Sequence, residues 1–243
     1  MKKLINRIQG QMRYATQLLK FVGPKAFFEQ LGRQIYSNHV QIGVRKDFED
    51  ITRVEGESPT KYYFRLATEK DMEDVFSKIK GESKENAKLL LERKWLYDSG
   101  LRKWYVARTV EDDDPCFIQG VVHPEENDYM DKHLKGWFPI LRDDEILLEG
   151  AYAFQKYRGG KLCHMIATDI WMMYKEKGYK RMITYIKSNN EASLRASAKT
   201  GFVRFEEFPV RKFMFFTKRK LLGSNGQFEA APGNAELEKA AVK

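Results

Sequence analysis

The chain has 243 residues, 42% hydrophobic and 13% aromatic, with 32% charged side chains and a formal net charge of +9. That apolar content suits a folded domain and excludes a wholly disordered chain, while the absence of any apolar run of about 18 residues argues against a transmembrane span. Two cysteines, Cys116 and Cys163, are too few for a disulfide framework and wrongly arranged for a structural zinc site, so a reducing cytoplasm without a structural metal is expected.

The first 46 residues carry nine lysines and arginines against the single acid Glu29. Within them, Leu4, Ile5, Ile8, Met12, Ala15, Leu19 and Val22 recur three or four apart, the pattern of an amphipathic helix over 2–22. The start lacks the uninterrupted apolar core and cleavage pattern of a secretory signal. Gly23-Pro24 stops the helix, and Phe27, Phe28, Leu31 and Ile35 continue a second short stripe. Residues 50–60 are polar with Gly and Pro and read as a linker, so residues 1–58 are expected to form a basic helical extension ahead of a domain over 59–222. The Ala/Gly/Glu-rich tail 223–243 is expected to be disordered. For the basic segment 1–46 three readings stay open: packing on the core through the apolar stripe, lying on an anionic membrane, or docking an acidic partner such as acyl carrier protein. No reading helix or aromatic-stacking motif points to nucleic acid.

After the linker, Tyr62–Leu66 is strand-like, and Thr68 has the character of an N-cap for a helix bearing Met72, Val75, Phe76 and Ile79. A helix follows from about Glu85 to Tyr97, then strands over Trp104–Thr109 and Cys116–Val122 around an acidic loop. Residues 123–144, with Trp137 and Phe138, read as irregular. Next come a strand over Ile146–Phe154, a glycine turn, a long helix over about Lys161–Lys177, a strand over Arg181–Ile186 and a helix over Glu191–Lys199. Two strands, Phe202–Glu207 and Val210–Thr217, flank Pro209. This order predicts an α/β (α+β) fold: a mixed, mostly antiparallel sheet of six to seven strands flanked by helices, with a strand–helix–strand unit at its centre.

The stretch Glu149 to Cys163, EGAYAFQKYRGGKLC, is a strand, a turn and a helix start. A helix that begins after a glycine turn offers unpaired N–H groups and the positive end of its dipole, a ready site for a phosphate or diphosphate. Gly159 and Gly160 allow close backbone approach, and Arg158 and Lys161 add charge. His123, His133 and His164 show no metal-ligand spacing.

Together with Asn190-Glu-Ala-Ser193 and the ending Lys199-Thr-Gly201-Phe202, this stretch resembles the GCN5-related N-acetyltransferase (GNAT) superfamily. Arg158-Gly159-Gly160-Lys161-Leu162-Cys163 resembles its acyl-CoA pyrophosphate loop, Tyr63–Asp71 its opening strand and helix, and Ile118–Val121 its third strand; the likeness covers about residues 60–220. A basic helical extension resembles a bacterial subgroup of the superfamily. The resemblance implies the GNAT fold and direct attack of an amine on the thioester of acetyl-CoA or another acyl-CoA, without a metal. The cofactor would lie between the strands 146–154 and 181–186, bordered by Tyr152, Ala153 and Phe154, with a free N–H near Ala153 polarising the thioester carbonyl. Glu149 is the implied general base, and Tyr185 is either an acid reaching the sulfur or core packing. Ser197, which stands where relatives often have a general-acid tyrosine, either contacts the thiol end or is an ordinary helix residue. Asn190 and Ser193 either contact the cofactor or cap the helix. Lys161 and Cys163 replace small residues of the family pattern and would crowd the diphosphate. The acidic segment 111–149 suits an acceptor amine such as an amino sugar, polyamine or amino acid. Long-chain transfer from acyl carrier protein, and a non-catalytic GNAT-like scaffold, are the alternative functions.

Overall fold

Gly23 adopts a φ of 117°, and Pro24 has no N–H to satisfy at a helix start, so the chain turns sharply between helix α1 (Lys2–Phe21) and helix α2 (Pro24–Ile35). The computed structural model describes residues 2–54, 56–58, 60–133, 139–158, 161–213 and 216–219. Trp137, Phe138 and the tail from 220 therefore lie outside the described residues. The buried stripe of α1 is Gln11, Tyr14, Ala15 and Leu18, which packs on the later helix α4 (Lys84–Asp98). Met12 and Leu19, expected on that stripe, are exposed, because the Tyr14 ring and Leu18 rotate the buried face by about one residue.

The largest departure from the expected layout is strand β1 (Tyr36–Asp47). Residues 36–47 do not belong to a separate helical extension. They run antiparallel to β6 (Arg181–Lys187) on one side and to β7 (Val203–Phe213) on the other. Val40, Ile42 and Val44 alternate along it, and the last two are buried in the core. The sheet consequently has eight strands where six to seven were expected. With β2 (Tyr62–Leu66), β3 (Trp104–Thr109), β4 (Pro115–Val122), β5 (Glu145–Ala153) and β8 (Phe216–Arg219), its order is β2-β3-β4-β5-β6-β1-β7-β8. Every neighbouring pair is antiparallel except β5 and β6. Pro209 does not break β7, which keeps its register with β1 through the pair Val40↔Pro209.

Helices cover both faces. Trp104 and Tyr105 are neighbours on β3 and so point to opposite sides. Trp104 packs beneath Gly150 beside α4, whereas the Tyr105 hydroxyl accepts from Tyr174 of helix α6 (Leu162–Glu176) at 3.0 Å. Helix α3 (Glu69–Ser77) lies on the α4 side, tied to the sheet through Arg108, which is 8% exposed and meets Asp71 at 3.3 Å and Asp74 at 2.6 Å. The segment 123–144, expected to be irregular, contains helix α5 (Asn127–His133). His123 is a packed residue there: its ring meets the Tyr174 hydroxyl at 2.9 Å and its backbone N–H donates to Glu126. Helix α7 (Glu191–Lys199) follows β6, and the Trp171 ring of α6 meets Phe202 edge-on just beyond its end. Among the described residues no helix is long and apolar enough to cross a membrane.

Candidate active site between strands β5 and β6

The parallel strands β5 and β6 pair at only three positions, Glu145↔Arg181, Ile146↔Met182 and Leu147↔Ile183. Arg181 fastens this closed end, donating to Asp47 of β1 at 2.7 Å and lying 3.5 Å from Glu145. Past Leu147 the strands part. β5 stays with β4 but bulges: Glu149 pairs with Gly120 and Tyr152 with Ile118, so β5 spends one residue more than its neighbour. Gly150 makes the bulge feasible. Its φ is +63°, and a Cβ there would meet the Trp104 ring at 2.5 Å.

Arg93 of α4 holds the bulge. Its Nε donates to the Gly150 carbonyl at 3.3 Å and its Nη2 to the Ala151 carbonyl at 3.0 Å. Burial pulls the Arg93 pKa down, while the charges of Glu92 and Glu149 oppose that shift. Glu149 thus stands beside a cation on the α4 face. Leu147 and Ile183 pair, so Glu149 and Tyr185, each two residues on, share that face. The Tyr185 hydroxyl donates to Glu206 Oε1 of β7 at 2.5 Å across Gly43, the residue of β1 that pairs with both. A side chain at position 43 would strike Glu206 Cγ at 2.7 Å, so the missing side chain is what lets the two meet. Tyr185 is also packed edge-on against Phe205 and Phe208.

Tyr152 and Phe154 close the end of β5. Tyr152 is 3% exposed, and its hydroxyl has no hydrogen-bond partner among the described residues. Burial, reinforced by Glu82, pushes its pKa to about 12. The Arg158 guanidinium lies 5.1 Å from that ring and donates through Nε to the Ala153 carbonyl at 2.8 Å, so Arg158 is folded back onto β5. Gly159 and Gly160 lie outside the described residues. Lys161 opens α6 with no side-chain cap, and its carbonyl accepts from Met165. Its ammonium reaches toward the 51–58 segment, 3.7 Å from where a Gly56 Cβ would stand. Leu162 is buried. The Cys163 thiol donates to the Tyr157 carbonyl, and burial raises its pKa, which opposes a thiolate role.

Asn190 caps α7, its Oδ1 accepting from the Ser193 N–H at 3.3 Å. Ser197 sits in the last turn of α7, where its carbonyl accepts from the N–H groups of Thr200 and Phe202. The structure therefore gathers Glu149, Tyr152, Ala153, Phe154 and Arg158 at the free end of β5, with Tyr185 across the gap. Much of the acidic segment is engaged elsewhere: Lys78 and Tyr157 donate to Asp114, and Tyr63 donates to Asp113. Arg93 and Glu206 escaped sequence reading. Arg93 carries no signal outside three dimensions, and Glu206 shows in sequence only as one of two adjacent acids on an expected strand.

No protein-family model matches the chain, and no curated protein matches it. Solved structures do. The glucosamine N-acetyltransferase region of a fungal multi-domain GH3 β-N-acetylglucosaminidase aligns with a TM-score of 0.51 at 12% identity, over 77% of this chain and 22% of that one. A GCN5-related N-acetyltransferase from Sphaerobacter thermophilus aligns at 0.47 and 10% identity, over 83% of this chain and 58% of that one. A GNAT-family acetyltransferase from Colwellia psychrerythraea aligns at 0.45 and 12% identity, over 76% and 60%. The chain thus spans less than two thirds of each of these three, and at such identities the likeness is one of fold. By its alignment with that glucosamine N-acetyltransferase region, the chain has the fold of the GCN5-related N-acetyltransferases.

Proposed function

We propose that the protein is an acyl-CoA-dependent N-acyltransferase, most simply an acetyltransferase acting on a primary amine. One observation carries the reading: β5 and β6 separate after three residue pairs, and the gap opens beside the uncapped start of α6. A splayed strand pair leaves main-chain donors and acceptors for an extended amide-bearing arm, and an uncapped helix start suits a diphosphate. The residues present fit such a donor. Lys161 reaches toward Gly56, and the Arg158 guanidinium lies over the ring of the buried Tyr152.

In this reading the amine nitrogen attacks the thioester carbonyl carbon, the carbon–sulfur bond breaks, the acyl group leaves as an amide, and the thiolate departs as the thiol with the proton that the acylated nitrogen sheds. The amine must first be neutral. Glu149, on the α4 face beside Arg93, takes that proton, and Arg93 keeps the carboxylate placed against the bulge. Tyr185 already donates its proton to Glu206, so it serves to orient a second carboxylate on the same face. Two carboxylates there favour a cationic acceptor such as an amino sugar, polyamine or amino acid.

A second reading, transfer of a long acyl chain from acyl carrier protein, draws support from the exposed Arg13, Lys20, Lys25 and Arg33 on α1 and α2. Thermal-shift titration with acetyl-CoA, long-chain acyl-CoA and acyl carrier protein separates the donors, since stabilisation tracks donor affinity. With the preferred donor and an amine panel, Glu149→Gln is expected to lower kcat about a hundredfold with little change in donor affinity. Absence of stabilisation by all three donors would leave only a non-catalytic scaffold.

A further inference from the structure

On the opposite face of the sheet, the segment 51–54 crosses between α6 and the end of α7 and leaves a cleft of about 300 Å³. His164, Thr168 and Trp171 line it from successive turns of α6. Thr168 is 2% exposed and Trp171 6%, yet Thr168 Oγ1 and Trp171 Nε1 have no hydrogen-bond partner among the described residues. Buried polar groups are seldom left so, and two on one wall of a cleft mark donors awaiting an acceptor. The other walls bring cations: Lys46 from β1, Arg53 from the crossing segment and Lys199 from α7. No acid is among the described lining residues. Lys46 is held in place, donating to the Thr200 carbonyl at 2.7 Å over Gly201, whose φ of +80° and missing side chain leave room for it. Burial lowers the pKa of Lys46 against the nearby Asp50, and burial, aided by the charge of Lys46, lowers that of His164.

We propose that this cleft binds a phosphate monoester. Thr168 and Trp171 donate to its oxygens, and Lys46, Arg53 and Lys199 supply charge. Hydroxyl, indole and ammonium groups all donate, so a group offering only acceptors is the complement. The site does not need the transferase reading. The phosphate has two sources, a free phosphate ester or the phosphomonoester end of a CoA donor whose diphosphate sits at the start of α6, one turn from His164.

The experiment follows the Trp171 indole N–H resonance of the full chain, assigned with Trp171→Phe, during titration with inorganic phosphate, AMP, CoA and dephospho-CoA. Phosphate and AMP are expected to move that resonance saturably. Arg53→Ala and Lys199→Ala, both at exposed positions, should each weaken the response about tenfold. Thr168→Val should weaken it without lowering the thermal stability of the free protein. A response to CoA that dephospho-CoA fails to give assigns the site to the donor's own phosphate; equal responses to both, with AMP binding retained, assign it to a free ester. Either supports the site. A Trp171 resonance unmoved by every phosphate ester, or moved equally in the Arg53→Ala and Lys199→Ala proteins, overturns it, whatever the outcome of acyl-transfer assays.

Discussion

Two helix starts in this molecule are built to opposite plans. At α3, Thr68 Oγ1 accepts from the Asp71 N–H at 3.2 Å, and Asp71 accepts from the Thr68 N–H at 2.8 Å. Glu69 and Asp71 put negative charge in the first turn, and Arg65 grips Asp71 with both terminal guanidinium nitrogens. The N–H groups of Thr68 and Asp71 are thereby taken by the reciprocal cap. At α6 there is no side-chain cap and no acid in the first turn, and the nearest arginine, Arg158, is committed to the Ala153 carbonyl. Capping would have stabilised α6 by about 1 kcal/mol. Its absence beside a splayed strand pair is the contrast on which the proposed donor site rests.

Breaking the closed start should have the largest effect. Asp71→Ala removes a carboxylate that is 4% exposed, together with its ties to Thr68, Arg65 and Arg108. A cost of about 3 kcal/mol is expected, or a Tm lowered by about 6–12 °C, with donor affinity of the folded protein unchanged. The same group sets an acid limb. Burial pushes the carboxyls of Asp71 and Asp114 up, but hydrogen bonds from Thr68 and Arg65, and from Lys78 and Tyr157, outweigh it and leave both below the ordinary range. Their contribution is therefore complete above the unfolded value near pH 4 and is lost as pH falls through the lower folded values. Scanning calorimetry from pH 7 to strong acid should show Tm falling only below about pH 4, and less steeply for Asp71→Ala.

Gly150→Ala tests the open side through its strands. A Cβ at φ +63° and 2.5 Å from the Trp104 ring cannot be seated without moving the bulge that Arg93 holds. A stability loss of about 1–3 kcal/mol is expected. Acyl transfer should fall by more than the unfolded fraction explains, about tenfold or more, because the thioester would meet a displaced strand edge. Loss of stability with transfer intact would remove β5 from the site.

The same contrast governs what could be read from sequence. Local features were legible: the Thr68 cap, the strands expected over 104–109 and 181–186, and the α6 start after its glycine turn all follow from nearest-neighbour chemistry. Strand β1 was not, although Val40, Ile42 and Val44 carry a period of two. The run of cations on either side gave those residues the character of an extension, and insertion between β6 and β7 is a pairing across more than 130 residues that no local pattern encodes. Glu149 was visible only through the family resemblance, as the base it implies. Its partner Arg93 was hidden, because their meeting depends on how α4 is laid over the bulge.

The subtlest test makes α6 resemble α3. Lys161→Glu places an acid at the N-cap of a helix whose first turn has none, where the helix dipole favours it by about 0.3–1 kcal/mol. The free protein should melt about 1–3 °C higher, the dipole gain outweighing the Lys161 contact that is lost. The same carboxylate competes for the N–H groups and repels a diphosphate, so the affinity for CoA, measured by isothermal titration, should fall about tenfold. Opposite signs in the two measurements are the signature of a helix start kept open for an anion. A gain in Tm with unchanged CoA affinity would mean that the donor's diphosphate lies elsewhere, and the missing cap would then reflect only the glycines that precede it in sequence.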